Sequence, residues 1–356
     1  MLQKNKKIFI KTFGCAQNTS DSERIKVYFA EKGSIFVDDW KEADEVIINS
    51  CVIRESAENR VYGLINKIKN YKLRITNEKP RIILTGCLVP ITKKKIEGVD
   101  EMLPIKKISF DLEPLRDKKK AALITISSGC NNFCSYCIVP YSRGKEISRK
   151  MDDILKEVDT TIEKGYEEIV LIGQNVNSYG ADFNEESSVS MGKKRIRSLF
   201  PKLLEEVAKK KLKKISFVSS NPWDFSDELI ETIAKYTNID RLLHLPFQSG
   251  DDGVLKNMNR GYTKKEYLDL VARIKKKIPE VRFSTDIIIG FPGEDEAAFQ
   301  NTVDVCKKVD FEIAYINKYS PRRGTVSAKL YKDEIPMKEK KRRWVILNNL
   351  VNKESE

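Results

Sequence analysis

Apolar and polar positions form two series of short apolar runs, each run followed by a segment with helical spacing. In the first hundred residues this pattern predicts strands at 7–13, 45–50 and 81–86 and helices at 20–32 and 55–71. Short apolar strands that alternate with helices are typical of a parallel, doubly wound sheet. We therefore predict an α/β fold whose N-terminal domain spans residues 1–108.

A second alternating series follows a charged, proline-containing segment at residues 109–120, which we interpret as a linker. The pattern of residues 121–356 predicts a partial (β/α)6 barrel and a basic C-terminal helix from Lys338 to Asn352. The expected barrel strands are 121–127, 167–173, 213–219, 242–248, 282–290 and 312–319, with helices at 151–164 and 264–277. In such folds functional groups collect at the carboxyl ends of the strands.

Three cysteines with C-x3-C-x2-C spacing follow the first barrel strand: Cys130, Cys134 and Cys137. Thiolates at this spacing can hold three irons of a [4Fe-4S] cluster and leave the fourth iron without a protein ligand. The amino and carboxylate groups of S-adenosylmethionine (SAM) suit that open iron, and cleavage of SAM supplies radical chemistry that no side chain provides. The alternative is structural zinc, but zinc sites usually show four ligands, and no fourth Cys or His lies nearby in the sequence.

Cys15, Cys51 and Cys87 each follow the end of one of the three N-terminal strands. Because the carboxyl ends of parallel strands meet at one edge of a sheet, these thiols are expected to converge and to hold a second cluster. The alternative is that each is an ordinary buried cysteine. Cys306 lies in a helical pattern without a partner and is expected in the core.

Composition narrows the possible partners. Lys and Arg total 65 against 52 Asp and Glu, and the net charge of +13 suits a polyanion such as nucleic acid, although lysine-rich helices can simply be solvated. The basic residues cluster at Lys93–Lys95, Lys118–Lys120, Lys209–Lys214, Lys275–Lys277 and Lys338–Arg343.

His244 is the only histidine, which excludes histidine triads and multi-histidine metal sites. We therefore expect no side chain to act as a catalytic acid or base. The sequence has no signal peptide and no apolar run long enough to cross a bilayer, so we expect a cytoplasmic protein without a membrane partner. In such a compartment seven cysteines favour metal binding over disulfides.

The ends of the later strands are rich in glycine, amides and hydroxyls. This composition fits either turns or contacts to a ligand. The segments are 173–177, 219–222, 248–250 and 286–294.

Several segments together resemble the radical-SAM methylthiotransferases over nearly the whole chain. They are KTFGCAQN, INSCVIRESAENRV, TGC, SGCNNFCSYCIVPYSRG, IGQNVNSYG, HLPFQSG, MNRGYT, TDIIIGFPGE and SPRRGT. The CIVPY-x-RG and GQNVNSYG segments favour the tRNA-modifying branch of the family over its protein-modifying relative.

The resemblance implies a mechanism and its cofactors. Cys130, Cys134 and Cys137 match the ligands of a SAM-cleaving [4Fe-4S] cluster, and Cys15, Cys51 and Cys87 match those of an auxiliary [4Fe-4S] cluster that carries sulfur. In the family a 5′-deoxyadenosyl radical activates C2 of an N6-isopentenyladenosine next to the tRNA anticodon, and a methylthio group joins that carbon. Tyr136 is expected near the SAM adenine, and the amino acid and ribose of SAM are expected to contact Gln174, Asn175, Ser220, Gln248 and Asp286.

The resemblance also implies partners and alternatives. The tRNA anticodon loop and an electron donor such as flavodoxin or ferredoxin are expected partners, and the sulfur source is left open. The sequence ends at Glu356, before the small TRAM domain that the family normally carries, so either the domain is absent or the sequence is a fragment. If the domain is absent, basic surface on the barrel and terminal helix is expected to bind tRNA instead. Alternative substrates are a threonylcarbamoyladenosine in tRNA and an aspartate of a ribosomal protein. An inactive iron–sulfur protein that binds tRNA is the alternative from another functional class.

Overall fold

A computed structural model describes residues 5–53, 55–75, 80–92, 94–108, 112–116, 121–183 and 198–352, with only the backbone for 72–75. The chain forms two compact units. The first comprises Met1–Thr125 and Ile138–Gly144, and the second comprises Ile126–Cys137 and Lys145–Glu356. The predicted domain limits at 108 and 120 stay predictions, and residues 109–111 and 117–120 of the predicted linker lie outside the described residues.

The first unit contains a parallel five-stranded sheet with the strand order β2-β1-β3-β4-β5. This confirms the doubly wound α/β prediction. The strands are β1 (Lys7–Thr12), β2 (Ile35–Phe36), β3 (Glu45–Ser50), β4 (Arg81–Gly86) and β5 (Glu101–Met102), and the unit also contains β6 (Ala121–Thr125). Its long helices are α1 (Ala16–Ala30) and α2 (Glu55–Ile75).

The central strand β3 is buried at all six positions because apolar residues cover both faces of the sheet. Ile47 packs with Ile8 on one face, and Ile48 packs with Leu84 on the other. Full burial of such a side chain contributes about 1.5–3 kcal/mol. The continuous apolar run of β3 thus fixes the middle of the sheet and the position of the chain that follows it.

Helix α1 begins four residues before its predicted start at Ser20, because polar residues on its first two turns are buried and hide the apolar period. Gln17, Asn18 and Asp21 are each less than 7% exposed. Gln17 Nε2 donates to Thr125 Oγ1 at 3.2 Å, so these polar groups are satisfied inside the unit.

A short helix, α3 (Val139–Arg143), also belongs to the first unit. Ile138, at its start, packs in the same apolar cluster as Cys87, Leu88 and Val89. The residues directly after the C-x3-C-x2-C loop are therefore part of the core of the N-terminal sheet.

The second unit contains parallel strand pairs and their covering helices. Strand β9 (Glu168–Ile172) pairs with β10 (Lys214–Phe217), and β12 (Arg282–Ile289) lies between β11 (Leu242–His244) and β13 (Ile313–Lys318). The short strands β7 (Ser127–Ser128) and β8 (Ile147–Ser148) are antiparallel. The helices are α4 (Met151–Glu163), α5 (Phe200–Ala208), α6 (Asp227–Lys235), α7 (Asp252–Asn257), α8 (Lys264–Lys277), α9 (Glu296–Val309), α10 (Val326–Leu330) and α11 (Met337–Val351). None of the described helices combines the length and apolar character needed to cross a membrane.

Two predicted strands, 213–219 and 242–248, are shorter in the structure. Ser219 and Gln248 adopt positive φ angles of 68° and 66°, which an extended strand does not allow. The polar residues at these positions therefore belong to loops at the strand ends.

The C-terminal helix α11 is less exposed than its basic sequence suggests. Lys340 and Arg343 are 1% and 5% exposed. Lys340 Nζ donates to the Tyr319 carbonyl at 2.9 Å, and Arg343 Nη1 lies 2.5 Å from Glu294 Oε1. Part of the predicted basic cluster is thus internal to the second unit.

Candidate functional site

The first cysteine set lies at the carboxyl ends of three adjacent strands. Cys15 follows β1 as the N-cap of α1, and Cys51 and Cys87 directly follow β3 and β4. Asn18 contacts two of these thiols: Cys15 Sγ lies 3.5 Å from the Asn18 Oδ1, and the Asn18 Nδ2 donates to Cys87 Sγ at 3.8 Å. The three strand ends therefore lie at one edge of the sheet of the first unit, and that their thiols hold a cluster stays a prediction.

Two glycines allow this close approach. Gly14 has a φ of +131°, and an added Cβ would lie 2.9 Å from the Cys51 Cβ. Gly86 has a φ of +87°, and an added Cβ would lie 2.5 Å from the Ser50 carbonyl oxygen. Larger residues at these positions would push the cysteine-bearing loops apart, so the FGC and TGC sequences have a geometric cause.

The Cys87 thiol interacts electrostatically with the other two cysteines of this set and with a neighbouring ion pair. Burial raises the pKa of the Cys87 thiol to about 11, the Arg143 guanidinium opposes this rise, and the negative charges of Asp21, Cys51 and Cys15 add to it. Neighbouring thiolates that disfavour one another are stabilised when a cationic centre binds them. The donor set therefore fits a metal cluster.

The second cysteine set lies in the loop after β7. Cys130 is buried, and burial together with the charges of Cys134 and Cys137 raises the pKa of its thiol. The Cys137 amide donates to the Cys134 carbonyl at 2.9 Å, which turns the loop between these two cysteines. Each of the six cysteines is a free thiol. The soft thiol donors and their grouping suit iron–sulfur ligation.

No group of three or more His, Cys, Asp or Glu side chains among the described residues is arranged to hold a single metal ion. The thiolates of a [4Fe-4S] cluster bind separate irons. The lack of a single-ion site in these residues is therefore compatible with thiols that bind the separate irons of a cluster.

Polar atoms without partners collect at the strand ends of the second unit. Among the described residues, the Ser127 and Ser220 hydroxyls and the Oδ1 atoms of Asn177 and Asn221 are buried and have no hydrogen-bond partner. Buried polar atoms normally find a partner, so their grouping marks a place where a polar ligand would complete the hydrogen bonding.

The predicted SAM contacts fall into two environments. Gln174 accepts from the Gly129 amide, and Asn175 donates to Asp224 Oδ2 at 2.8 Å, close to the unpartnered atoms. The Gln248 backbone amide donates to the Asp286 backbone carbonyl at 3.0 Å, and the Asp286 side-chain Oδ2 lies 3.1 Å from His244 Nε2.

Tyr136 packs against an apolar cluster formed by Val254, Met258, Phe291 and Tyr319. Its predicted place near the SAM adenine stays a prediction, as do the other predicted SAM contacts.

Sequence reasoning missed Glu146 and Asp224. Burial raises the pKa of Glu146 to about 7 and the pKa of Asp224 to about 6. Both acids stand in polar segments whose spacing gives no sign of burial. Arg143 was missed for the same reason, whereas Asn18 could have been found as the N3 residue of a capping box that starts at Cys15.

Comparisons with known proteins identify the family. The profile of the Radical SAM superfamily matches residues 124–306, and that of the Uncharacterized protein family UPF0004 matches residues 7–105. Curated proteins named tRNA-2-methylthio-N(6)-dimethylallyladenosine synthase are similar over nearly the whole chain. The Thermotoga petrophila protein is 40% identical over 97% of this chain and 81% of its own length. The Acetivibrio thermocellus protein is 39% identical over 99% and 78%, and the Halalkalibacterium halodurans protein is 37% identical over 98% and 68%.

Solved structures support the fold. The radical SAM methyltransferase TsrM from Kitasatospora setae superposes with a TM-score of 0.61 over 91% of this chain and 77% of its own, at 13% identity. The cobalamin-dependent SAM radical enzyme OxsB superposes with a TM-score of 0.56 over 95% of this chain and 56% of its own, at 10% identity. The chain belongs to the radical SAM superfamily and, within it, to the tRNA-2-methylthio-N(6)-dimethylallyladenosine synthases.

Proposed function

We propose that the protein transfers a methylthio group to C2 of N6-isopentenyladenosine next to the anticodon of tRNA. The observation that carries this proposal is the second thiol set, Cys15, Cys51 and Cys87, at the ends of three adjacent strands. SAM cleavage alone needs only the open-iron cluster of the C-x3-C-x2-C loop. A second three-thiol site therefore favours a reaction that also consumes sulfur.

In this proposal Cys130, Cys134 and Cys137 hold one [4Fe-4S] cluster, and Cys15, Cys51 and Cys87 hold the other. When bound, these groups and SAM supply the carbon radical and the sulfur. The protein contributes the thiolates and their surroundings. Burial of Cys51, Cys87 and Cys130 keeps water from the ligands, and a cluster bound to them keeps the thiols ionised.

The proposed SAM site lies at the ends of β9 and β10. Ser220 and the neighbouring Asn221 and Asn177 would use their unpartnered oxygen atoms to accept from the SAM ammonium group and ribose hydroxyls. Asn175 holds the loop that carries Ser220 and Asn221, since its Oδ1 accepts from the Asn221 backbone amide at 3.3 Å. Gln174, Gln248, Asp286 and Tyr136 complete the proposed set of contacts.

The proposal includes partners. A single-stranded anticodon loop presents an unstacked base more readily than a duplex does, which suits chemistry at C2. A low-potential donor such as flavodoxin or ferredoxin would reduce the SAM-binding cluster, and the reaction would take place in the cytoplasm with the tRNA.

The test is expression in a bacterial host that lacks its own enzyme, followed by mass spectrometry of the tRNA nucleosides. We expect 2-methylthio-N6-isopentenyladenosine with the unsubstituted chain and none with Cys134→Ala or Cys87→Ala. Cys306→Ala is the matched control, because Cys306 is a buried cysteine of α9 outside both sets. This variant should retain the product.

Persistence of isopentenyladenosine beside a brown protein that carries two clusters would contradict the proposal. Assays on threonylcarbamoyladenosine in tRNA and on the ribosomal-protein aspartate would then follow. If all three assays failed while tRNA still bound, the inactive binding protein would be the remaining reading.

A further inference from the structure

Arg260 places its guanidinium against the second cysteine set. It directly follows the turn at residues 258–259 that ends α7, and its Nη1 donates to Cys134 Sγ at 3.4 Å. Its Nη2 donates to the Pro246 carbonyl at 3.2 Å, and its Nε donates to the Tyr262 hydroxyl at 3.3 Å. The guanidinium is thus held by three separate acceptors, one of which is a cysteine sulfur.

Two aromatic rings fix the orientation of Arg260. Its Cζ lies 4.8 Å from the ring centroid of Trp223 and 5.2 Å from that of Tyr262. The Tyr262 hydroxyl in turn donates to the Phe247 carbonyl at 2.7 Å. Arginine stacks well on aromatic faces, so these rings restrict the side chain to the arrangement that reaches Cys134.

Arg260 differs from the other buried cations of the second unit in its charge partner. Arg149 pairs with Glu157, Arg343 pairs with Glu294, and Lys340 pairs with Asp333. Within the described ranges no carboxylate lies at ion-pair distance from Arg260. A desolvated cation without an anion is costly. The Asp224 carboxylate feels the Arg260 charge only from beyond that distance. The Cys134 sulfur is therefore the group that the guanidinium contacts, and it would be the anion facing Arg260 when Cys134 binds iron.

The same turn also supports the backbone on both sides of Cys134. The Ser135 amide donates to the Met258 carbonyl at 2.9 Å, and the Ser135 hydroxyl donates to the Asn257 carbonyl at 2.7 Å. Asn259 Nδ2 donates to the Phe133 carbonyl at 3.0 Å. Phe133 has a φ of 48°, a strained angle for a bulky residue, and these hydrogen bonds hold it.

We propose that Arg260 is a positioning residue for the cluster held by Cys130, Cys134 and Cys137, and that its charge raises the reduction potential of that cluster. This inference rests on the proposed function because it takes Cys134 as a ligand. A cation and an N–H donor at a ligand sulfur stabilise the more negative, reduced cluster. Arg260 would thereby ease the electron transfer that precedes SAM cleavage.

The test measures the midpoint potential of this cluster by redox titration monitored by electron paramagnetic resonance. The 356-residue chain with Cys15→Ala, Cys51→Ala and Cys87→Ala isolates this cluster, because the other cysteine set is then absent. In that background we compare Arg260→Met, Arg260→Lys and the matched control Arg241→Met. Arg241 is partly buried in the same unit and pairs with Glu280, and its guanidinium also donates to the Ile233 carbonyl. In the described part of the chain it makes no hydrogen bond with Cys130, Cys134 or Cys137.

We expect a more negative potential in Arg260→Met at full iron content, partial recovery in Arg260→Lys, and no change in Arg241→Met. In the chain that keeps all seven cysteines, the variants should show the same order of midpoint potentials for the paramagnetic resonance signal that changes when SAM is added. If Arg260→Met binds no iron but has the same melting temperature as Arg241→Met, the positioning role is supported. The effect of the charge on the midpoint potential is then measured in Arg260→Lys.

A fully loaded Arg260→Met with the parent potential overturns the proposal. An equal shift in Arg241→Met also overturns it, because the effect would then not depend on contact with Cys134. Failure of the proposed function gives a different result: Cys134→Ala would load its iron normally, whatever residue stands at position 260.

Discussion

Asp21 and Arg143 form a buried ion pair in the first unit, with 2.7 Å between Asp21 Oδ2 and Arg143 Nη2. The two side chains are 7% and 4% exposed. The pair joins α1 to α3, and the Arg143 charge acts on the thiols of Cys87 and Cys15. One interaction thus links the helix that begins at Cys15 to the segment that follows Cys137.

Breaking this pair from either side should destabilise the first unit. Arg143→Met or Asp21→Asn leaves one buried charge or dipole without its partner, which we expect to cost about 3–5 kcal/mol. Urea unfolding is followed by Trp40 fluorescence in a chain with Trp223→Phe and Trp344→Phe, since Trp40 is then the only tryptophan and lies in the first unit. The double variant should lose less than the sum of the single losses, and additive losses would show that the pair is not coupled.

Arg343 and its neighbour Arg342 should differ sharply in their effect on the second unit. Arg343→Met leaves Glu294 buried without its cation, and we expect a loss of about 3–5 kcal/mol in the free energy of unfolding. Arg342 is 44% exposed and pairs with Glu339 at the surface, so Arg342→Met should lower the free energy of unfolding far less than Arg343→Met does. Chemical unfolding followed by Trp344 fluorescence measures both. Equal losses would contradict the buried pairing.

Glu146 should make the stability of the iron-free second unit fall as pH rises. Burial raises its pKa from an ordinary value of 4.5 to about 7, and a hydrogen bond from Ser178 opposes the rise. The folded chain therefore holds a proton that the unfolded chain releases at lower pH. The resulting stability is fully present below about pH 4.5 and lost as pH passes 7, with a size of about 3 kcal/mol.

Glu146→Gln imitates the protonated acid and should flatten this dependence, measured as unfolding free energies at about pH 5 and about pH 8. Asp224, whose pKa is raised to about 6 by burial, contributes with the same sign, so a smaller slope should remain. An unchanged slope in Glu146→Gln would show that Glu146 ionises freely.

Binding of tRNA should depend on cations that have no carboxylate partner. Arg323 and Lys329 are exposed, and within the described part of the chain no carboxylate lies at ion-pair distance from either. Lys213, in contrast, pairs with Glu167 at 2.6 Å. In filter-binding titrations Arg323→Glu and Lys329→Glu should weaken binding and lower the salt slope by about 1 each or more, whereas Lys213→Glu should change it less. Affinity that does not vary with salt would contradict a basic tRNA surface.

The sequence predicted those elements whose apolar pattern is uninterrupted. Strands β3 and β4 and helix α8 have the predicted limits, because apolar residues of β3 are buried on both faces and a capping box at Thr263 starts α8. The predicted start of α1 was wrong because Gln17, Asn18 and Asp21 are polar yet buried, so the apolar pattern does not show the first turns of the helix. Their burial depends on partners distant in sequence, such as Thr125 and Arg143.

The six cysteines proposed to hold the clusters could be chosen from their spacing and from their places after strands, and their role stays a prediction. Their surroundings could not be predicted in this way. Arg260 reaches Cys134 from 126 residues away, and Asp224 contacts Asn175 from 49 residues away. The basic clusters are also less available to a polyanion than the sequence suggests, because several of their lysines pair with carboxylates. Examples are Lys209, Lys213 and Lys277. Charge counted along a sequence does not report which cations the fold neutralises.

The chain passes between the two units after Thr125, after Cys137 and after Gly144. Neither unit can therefore be cut out as one continuous stretch. A fragment that begins at Ile126 would carry Ile138 and Arg143 away from Cys87 and Asp21, and a fragment that stops at Thr125 would lack both. Dissection of this enzyme into separately folding halves would require circular permutation or a graft of Ile138–Gly144, and the two halves can be exchanged between relatives only together with that segment.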